Sequence, residues 1–275
     1  MKKLNYIKIK LIIVILLLST TLMFSQATIT RKAIIETGEL ISINAFKLLE
    51  KRSAKDLIAS YSKILITNGL GKKVRIDSKS IELILKQTYE LRGKEELIRV
   101  GQKISSLSDR NLSSIKGFLA EEIHHNELLK TEGIKNIQSS LKFKSSEYVQ
   151  KRQQIFITEN SLKKSNLYLH KLIEIDLIGM KNNSKFIIEV KNIDSNFSEA
   201  RFLKYMSQIV KQKAFADQNG IKNVFWSNIG VGKLSTEQIK RMERIGVKVF
   251  QKGSTSPLVN AKINMNQIKM ELSRL

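Results

Sequence analysis

The 275-residue sequence contains no cysteine, which excludes a disulfide framework, a thiolate nucleophile, an iron–sulfur cluster and any zinc site built on Cys ligands. Any metal must then be held by oxygen or imidazole. Proline is almost absent, Pro257 being the one example, and there are 13 glycines. That is too little for collagen-like or proline-rich sequence, and no fixed-period repeat suggests a solenoid. No apolar run is long enough to span a bilayer. The longest, from Leu11 to at most Phe24, has 14 residues, against the roughly 20 that a membrane-spanning helix needs. Acidic residues are outnumbered, 25 Asp and Glu facing 48 Lys and Arg. The resulting net charge of +23 makes nucleic acid or an anionic lipid surface the natural partner. What is plentiful is core material: 42% hydrophobic residues suffice for one large or two modest domains and argue against wholesale disorder.

Residues 1–10 carry Lys2, Lys3, Lys8 and Lys10 without an acid, residues 11–18 are unbroken apolar sequence, and the small residues Ser25 and Ala27 follow. This is the layout of a signal peptide over residues 1–25, cut after Ser25 or Ala27. Left uncut, the same segment would be an N-terminal anchor. With no cysteine after it, a lipoprotein is excluded. Cleavage removes four lysines and lowers +23 to +19, so the exported chain, secreted or periplasmic, stays strongly basic and has no stable membrane span.

Residues 28–112 read as an all-helical domain. Apolar residues recur at helical spacing, among them Ile34, Ile35, Leu40, Ile41, Phe46, then Leu57, Ile58, Tyr61, Ile64 and Leu65. Breaks fall at Asn68-Gly69, Gly71 and Gly93, the last followed by a further helix over residues 94–104. No catalytic constellation is present, so this part reads as a packing or partner-binding module. Residues 105–114, SSLSDRNLSS, have the composition of a linker and mark a domain boundary.

Beyond it the pattern changes to α/β. Residues 115–130 form a helix carrying Glu121, Glu122, His124 and His125. Residues 138–170 are polar and basic, with Lys142, Lys144, Lys151, Arg152, Lys163 and Lys164, and suit contact with phosphates; residues 154–158 within them have strand character. Two β-rich runs, residues 172–178 and 186–190, flank a Gly/Asn turn, which is a hairpin signal. With the turn centred on Asn182-Asn183, facing residue numbers sum to 365, setting Asp176 opposite Glu189. Alternation puts Glu189 and Lys191 on one face. Facing carboxylates repel, so such a pair is expected where something compensates it, and a divalent cation held by oxygen does so; Mg²⁺ fits a cysteine-free site. His124-His125-Asn126 suggests an HNH-type site, but His170 is the only further histidine, so these read as surface residues of the helix. Phe225 and Trp226 read as core.

Asp176 followed after the turn by Glu189-Val190-Lys191 resembles the signature of the PD-(D/E)xK nucleases, the restriction endonuclease-like fold. Gly117-Phe118-Leu119-Ala120-Glu121 is similar to the G-x-x-x-E form of the Holliday-junction-resolvase-like branches, with Glu122 the adjacent alternative. Many branches carry a glutamine on the helix after the lysine strand, and Gln208 is the candidate here; the tyrosine often found four residues on is Gln212 in this sequence, and the name-giving proline is Ile175. The resemblance covers residues 115–252, where strands at 222–227 and 247–250 flank a helix opened by a Ser235-to-Gln238 capping box. It implies an α/β fold with an αβββαβ core, its mixed sheet flanked by helices, behind the all-α N-terminal domain and ahead of a tail over residues 253–275. It further implies one or two Mg²⁺ or Mn²⁺ held by Asp176, Glu189, the Val190 carbonyl and Glu121, with Lys191 orienting the attacking water and Gln208 positioning water or phosphate. The implied activity is phosphodiester hydrolysis of nucleic acid, DNA ahead of RNA. Export would make the enzyme a scavenging nuclease or a toxin, and a toxin implies a neutralising partner protein. The alternative from a different class is a non-catalytic basic exported protein that binds nucleic acid or an anionic surface.

Overall fold

The computed structural model describes residues 49–67, 76–108, 112–162, 172–251 and 256–274. The signal peptide, the helical pattern of residues 34–48, the glycine break at residues 68–71, Lys163, Lys164 and His170 lie outside them. Residues 54–275 form one compact unit and residues 1–53 another. Among the described residues no helix is long and apolar enough to cross a membrane.

Three helices open the larger unit: α1 (Ala54–Thr67), α2 (Ser78–Ser108) and α3 (Leu112–Leu129). Leu57, Tyr61 and Leu65 recur every four residues along α1 and are all buried, which is the stripe the sequence periodicity predicts. Gly93, at φ +86°, interrupts α2 where a break is expected. Within the polar segment 105–114, residues 105–108 and 112–114 are helical and not linker. Ser105 Oγ donates to Gly101 O at 3.0 Å and Ser106 Oγ to Lys103 O at 3.0 Å, so their hydroxyls are satisfied on the helix's own carbonyls. Thus α2 continues through Ser108, α3 starts at Leu112, and the helices on both sides of the expected boundary belong to one compact unit. Asn126 of α3 ties them together, donating to Thr88 Oγ1 at 3.0 Å and Ile84 O at 3.3 Å.

The sheet has five strands in the order β1-β2-β3-β4-β5. β1 (Ile134–Lys144), β2 (Leu172–Lys181) and β3 (Ser184–Lys191) are successively antiparallel, and β4 (Asn223–Asn228) and β5 (Val247–Gln251) continue parallel to β3. The turn between β2 and β3 is Asn182-Asn183, with φ of 49° and 63°, the left-handed pair that a two-residue hairpin of matching twist needs. Helices α5 (Glu199–Gln218) and α6 (Thr236–Arg244) make the crossovers to β4 and β5. The α6 capping box forms as expected, Gln238 N donating to Ser235 Oγ at 3.2 Å and Ser235 N to Gln238 Oε1 at 3.0 Å. The chain is therefore α/β, a mixed sheet flanked by helices.

On one face Phe202, Met206 and Ile209 of α5 pack against Ile187, Val224 and Trp226. The other face carries Phe225, whose ring lies tilted between those of Phe186 and Phe250 with centroids 6.5 and 5.9 Å away, and Ser227. This second face is covered by α3 and by α7 (Pro257–Ser273). Within the expected tail over residues 253–275, α7 is thus part of the fold. Asn264 of α7 donates to Ser227 Oγ at 3.1 Å and Asn228 O at 3.0 Å, and Asn260 to Ile229 O at 2.9 Å. The strand expected at residues 154–158 is helix instead, in α4 (Glu147–Glu159). Val149, Gln153 and Ile157 are its buried positions, and a glutamine in the middle of that stripe hides the 3.6-residue period. The missing strand is β1, an edge strand whose Lys142 and Lys144 point to solvent, as edges generally do.

Candidate active site

The β2–β3 ladder runs from Lys181–Ser184 to Leu177–Ile188, each pair summing to 365 as the turn predicts. Beyond it the Val190 N–H is donated to the Asp176 carboxylate, Oδ2 at 2.8 Å. A side chain thus takes a strand amide at the hairpin's open end. On the opposite edge Glu189, Val190 and Lys191 remain paired with Trp226, Ser227 and Asn228 of β4, so the Glu-x-Lys segment is held from both sides, by β4 and by the Asp176 carboxylate.

Lys191 links the two acids. Its ammonium is hydrogen-bonded to Glu189 and lies 3.8 Å from Asp176 Oδ2, and it sits 5.5 Å from the centre of the Tyr205 ring. Glu189 is wholly buried. Burial alone would lower the lysine, but Glu189 and Asp176 outweigh it and hold the ammonium above its usual range. Glu121 comes from α3, accepting from Ser140 Oγ of β1 at 2.9 Å. Burial, then the nearby Asp176 charge, push the Glu121 carboxyl up to about 8, and the same two causes push Glu189 up to about 7. Asp176 and Glu189 share one ammonium, and burial first, then the Asp176 charge, disfavours ionisation of both glutamates.

Glu121, Asp176, Val190, Lys191 and Gln208 all line one cleft of ≈ 660 Å³. The structure separates the two adjacent glutamates. Glu121 faces the cleft, whereas Glu122 turns to α2 and forms an ion pair with Arg92 at 2.5 Å. Both partners are almost fully buried, with side-chain exposures of 2% and 7%. Arg92 keeps Glu96 as a second partner, so Glu122→Ala should cost about 1.5 to 3 kcal/mol, the loss of one hydrogen bond between charged groups, while Glu121→Gln should leave stability equal or higher. Denaturant melts of both variants check this, and equal midpoints would contradict it.

Gln208 lines the cleft, but the glutamine on the carboxylate is Gln212, one turn later. Its Nε2 donates to Glu189 Oε2 and, at 2.7 Å, to Glu174 O. The sequence offers both as glutamines on one helix face, and only helix roll chooses between them. Gln212→Ala removes a donor to the buried Glu189 carboxylate and should cost about 1.5 to 3 kcal/mol, whereas Gln208→Ala should cost less, as compared by denaturant melts.

The histidines are not surface residues. His124 donates Nδ1–H to Ala120 O at 2.9 Å and accepts from Ser227 Oγ at Nε2, 2.8 Å away; burial pushes its imidazole, and that of His125, down to about 4. They are neutral groups bonded into or packed within the α3 interface. Phe225 and Trp226 are core, as expected. Lys142, expected to meet phosphate, pairs with Glu174 at 3.1 Å.

The donor set is all oxygen and suits a hard divalent cation. Among the described residues no three His, Asp or Glu side chains are drawn together tightly enough to hold a metal ion. Glu189 instead spends its oxygens on Lys191 and Gln212. Glu121, Asp176 and Val190 bring oxygen ligands to one cleft, and to that extent the residues fit a cation.

Comparison of the sequence with known protein families finds no match, and comparison with curated proteins finds none. The solved structure of protein VC1899 from Vibrio cholerae is similar over 80% of this chain and 52% of its own, at 11% identity and a TM-score of 0.38. This chain spans about half the length of that protein.

Proposed function

We propose that the chain is a metal-dependent nuclease of the PD-(D/E)xK kind, hydrolysing phosphodiester bonds of nucleic acid. The observation that carries this reading is the convergence of Asp176 and Lys191 at the open end of the β2–β3 hairpin, on the wall of a cleft that Glu121 enters from the preceding helix, with the buried Glu189 bonded to Lys191. The element order from α3 through β3, α5 and β4 and the charge of +23 support it too. The helical N-terminal part contributes by buttressing α3, through Arg92 and Thr88, and so fixing Glu121.

Asp176, Glu189, the Val190 carbonyl and Glu121 would hold Mg²⁺ or Mn²⁺. A bound cation of this kind supplies Lewis-acid polarisation of a phosphoryl oxygen and a lowered pKa for water. Lys191, kept charged by its two acids, donates to the attacking water or a phosphate oxygen and offsets the charge that builds there. Gln212 keeps the Glu189 carboxylate in place, and Tyr205 limits the directions open to the ammonium. Water attacks phosphorus, the bond to the leaving oxygen breaks, and that oxygen takes up a proton, giving a phosphate monoester and a hydroxyl end. With the signal peptide read from the sequence, we propose that this chemistry acts outside the cytoplasm.

The test is incubation of the purified chain with supercoiled plasmid, total RNA and anionic vesicles, each in Mg²⁺ and in EDTA. Cleavage of either nucleic acid in Mg²⁺ alone is expected and also identifies the substrate. Salt-sensitive binding of all three without cleavage would replace the nuclease by a basic binding module.

A further inference from the structure

We infer that the cleft-facing side of α3 is the track for the sugar–phosphate backbone of the bound strand, with Gly117 at the point of closest approach; the inference rests on the nuclease reading. Gly117 lies inside α3 and lines the cleft. A Cβ added there would meet no heavy atom within 4 Å, so protein packing does not require glycine at this position. An interior glycine weakens a helix relative to alanine. What glycine provides here is bare helix backbone facing the cleft. Ser113, Gly117 and Glu121, spaced four apart and therefore stacked on one helix face, all line it, so the strip of small residues leads from the amino end of α3 to the candidate catalytic carboxylate.

Unsatisfied polarity in the cleft agrees with this occupant. Arg201, bonded to Ser195 Oγ, lines the cleft, while Lys116 beside Gly117 is held by Asp194, and the amino end of α3 adds the positive end of a helix dipole. Independently, Gln212, 1% exposed and lining the same cleft, has its amide orientation fixed by the two acceptors of Nε2, which leaves Oε1 as a buried acceptor with no partner among the described residues. Asn192, also on the cleft, donates Nδ2 to Lys116 O at 3.4 Å and leaves Oδ1 unpartnered in the same way. Buried acceptors call for donors. A hydrated sugar–phosphate strand brings them as hydroxyls and bound water, and its phosphates meet Arg201.

The experiment uses the full chain and its Gly117→Ala, Gly117→Val and Arg201→Met variants. Binding of fluorescein-labelled single-stranded and duplex oligonucleotides is followed by anisotropy in EDTA over a salt series, beside melting temperature and Mg²⁺-dependent cleavage. Gly117→Ala should melt at or above the wild-type temperature yet bind about tenfold more weakly, because a methyl group placed in the path of the strand clashes with it, and Gly117→Val more weakly still. Arg201→Met should reduce the salt slope by about one. Wild-type binding in both glycine variants, or a wild-type chain that binds neither oligonucleotide, would overturn the track. A wild-type chain that binds but never cuts would overturn the nuclease reading, and the glycine variants would still decide the track by binding.

Discussion

Asp176→Asn is expected to reduce Mg²⁺-dependent cleavage by about three orders of magnitude, the equivalent of several kcal/mol of lost metal-assisted charge stabilisation. The substitution is close to isosteric, and asparagine keeps an oxygen that can accept the Val190 N–H now held at 2.8 Å, so the hairpin end should survive it. Affinity for nucleic acid should hold or improve, because a negative charge is removed from a polyanion's path. Lys191→Ala is expected to lose about 10²- to 10³-fold, the usual cost of removing one donor to the developing charge. It also leaves Glu189, wholly buried, without its cation, so its melting temperature should fall as well. Cleavage rates measured at saturating enzyme separate these losses from weaker binding. Rates within tenfold of wild type in both variants would remove the two residues from the chemistry.

The second large effect is on stability and runs through protons. Glu121 and Glu189 are pushed up to about 8 and about 7 from an ordinary 4.5. Between those limits the folded chain holds protons that the unfolded chain has released, so the stability of the metal-free protein falls as pH rises through the window. Below about pH 4.5 both states are protonated at these groups and the penalty is absent. A divalent cation binding the ionised carboxylates relieves the penalty, and its own binding releases the retained protons. Mg²⁺ or Mn²⁺ should therefore raise the melting temperature clearly near pH 8 and little near pH 5. Glu121→Gln should flatten the metal-free pH profile. Scanning fluorimetry across that range checks both, and a metal-induced rise that is equal at the two pH values, or unchanged in Asp176→Asn, would contradict the assignment.

The hairpin was legible because its turn is chemically specific. Two adjacent asparagines can both take positive φ, and once their place is known the register follows and brings Asp176 and the Glu-x-Lys segment together. Ser235 and Gln238 were legible for a similar reason, both bonds of a capping box being local. Choices between neighbours were not. Glu121 and Glu122 differ by about 100° around one helix, and Arg92, thirty positions earlier in sequence, decides which one is taken into an ion pair. Gln208 and Gln212 share a face, and the roll of α5 that puts the latter on Glu189 is set by Phe202, Met206 and Ile209 packing on the sheet. Polar residues buried through long-range hydrogen bonds misled in one direction throughout. His124, Asn126, Gln153, Asn260 and Asn264 are all buried, and composition alone assigns each to the surface, which is why α4 looked like a basic insertion and α7 like a tail.

The central claim is that Asp176, Glu189 and Lys191 form a metal-dependent phosphodiesterase site, and a time course of supercoiled plasmid and labelled RNA with the wild-type chain and Lys191→Ala, in Mg²⁺ and in EDTA, tests it most directly. The account predicts cleavage by wild type in Mg²⁺ alone. Intact nucleic acid in every lane, or equal cleavage in EDTA or by the variant, would contradict it.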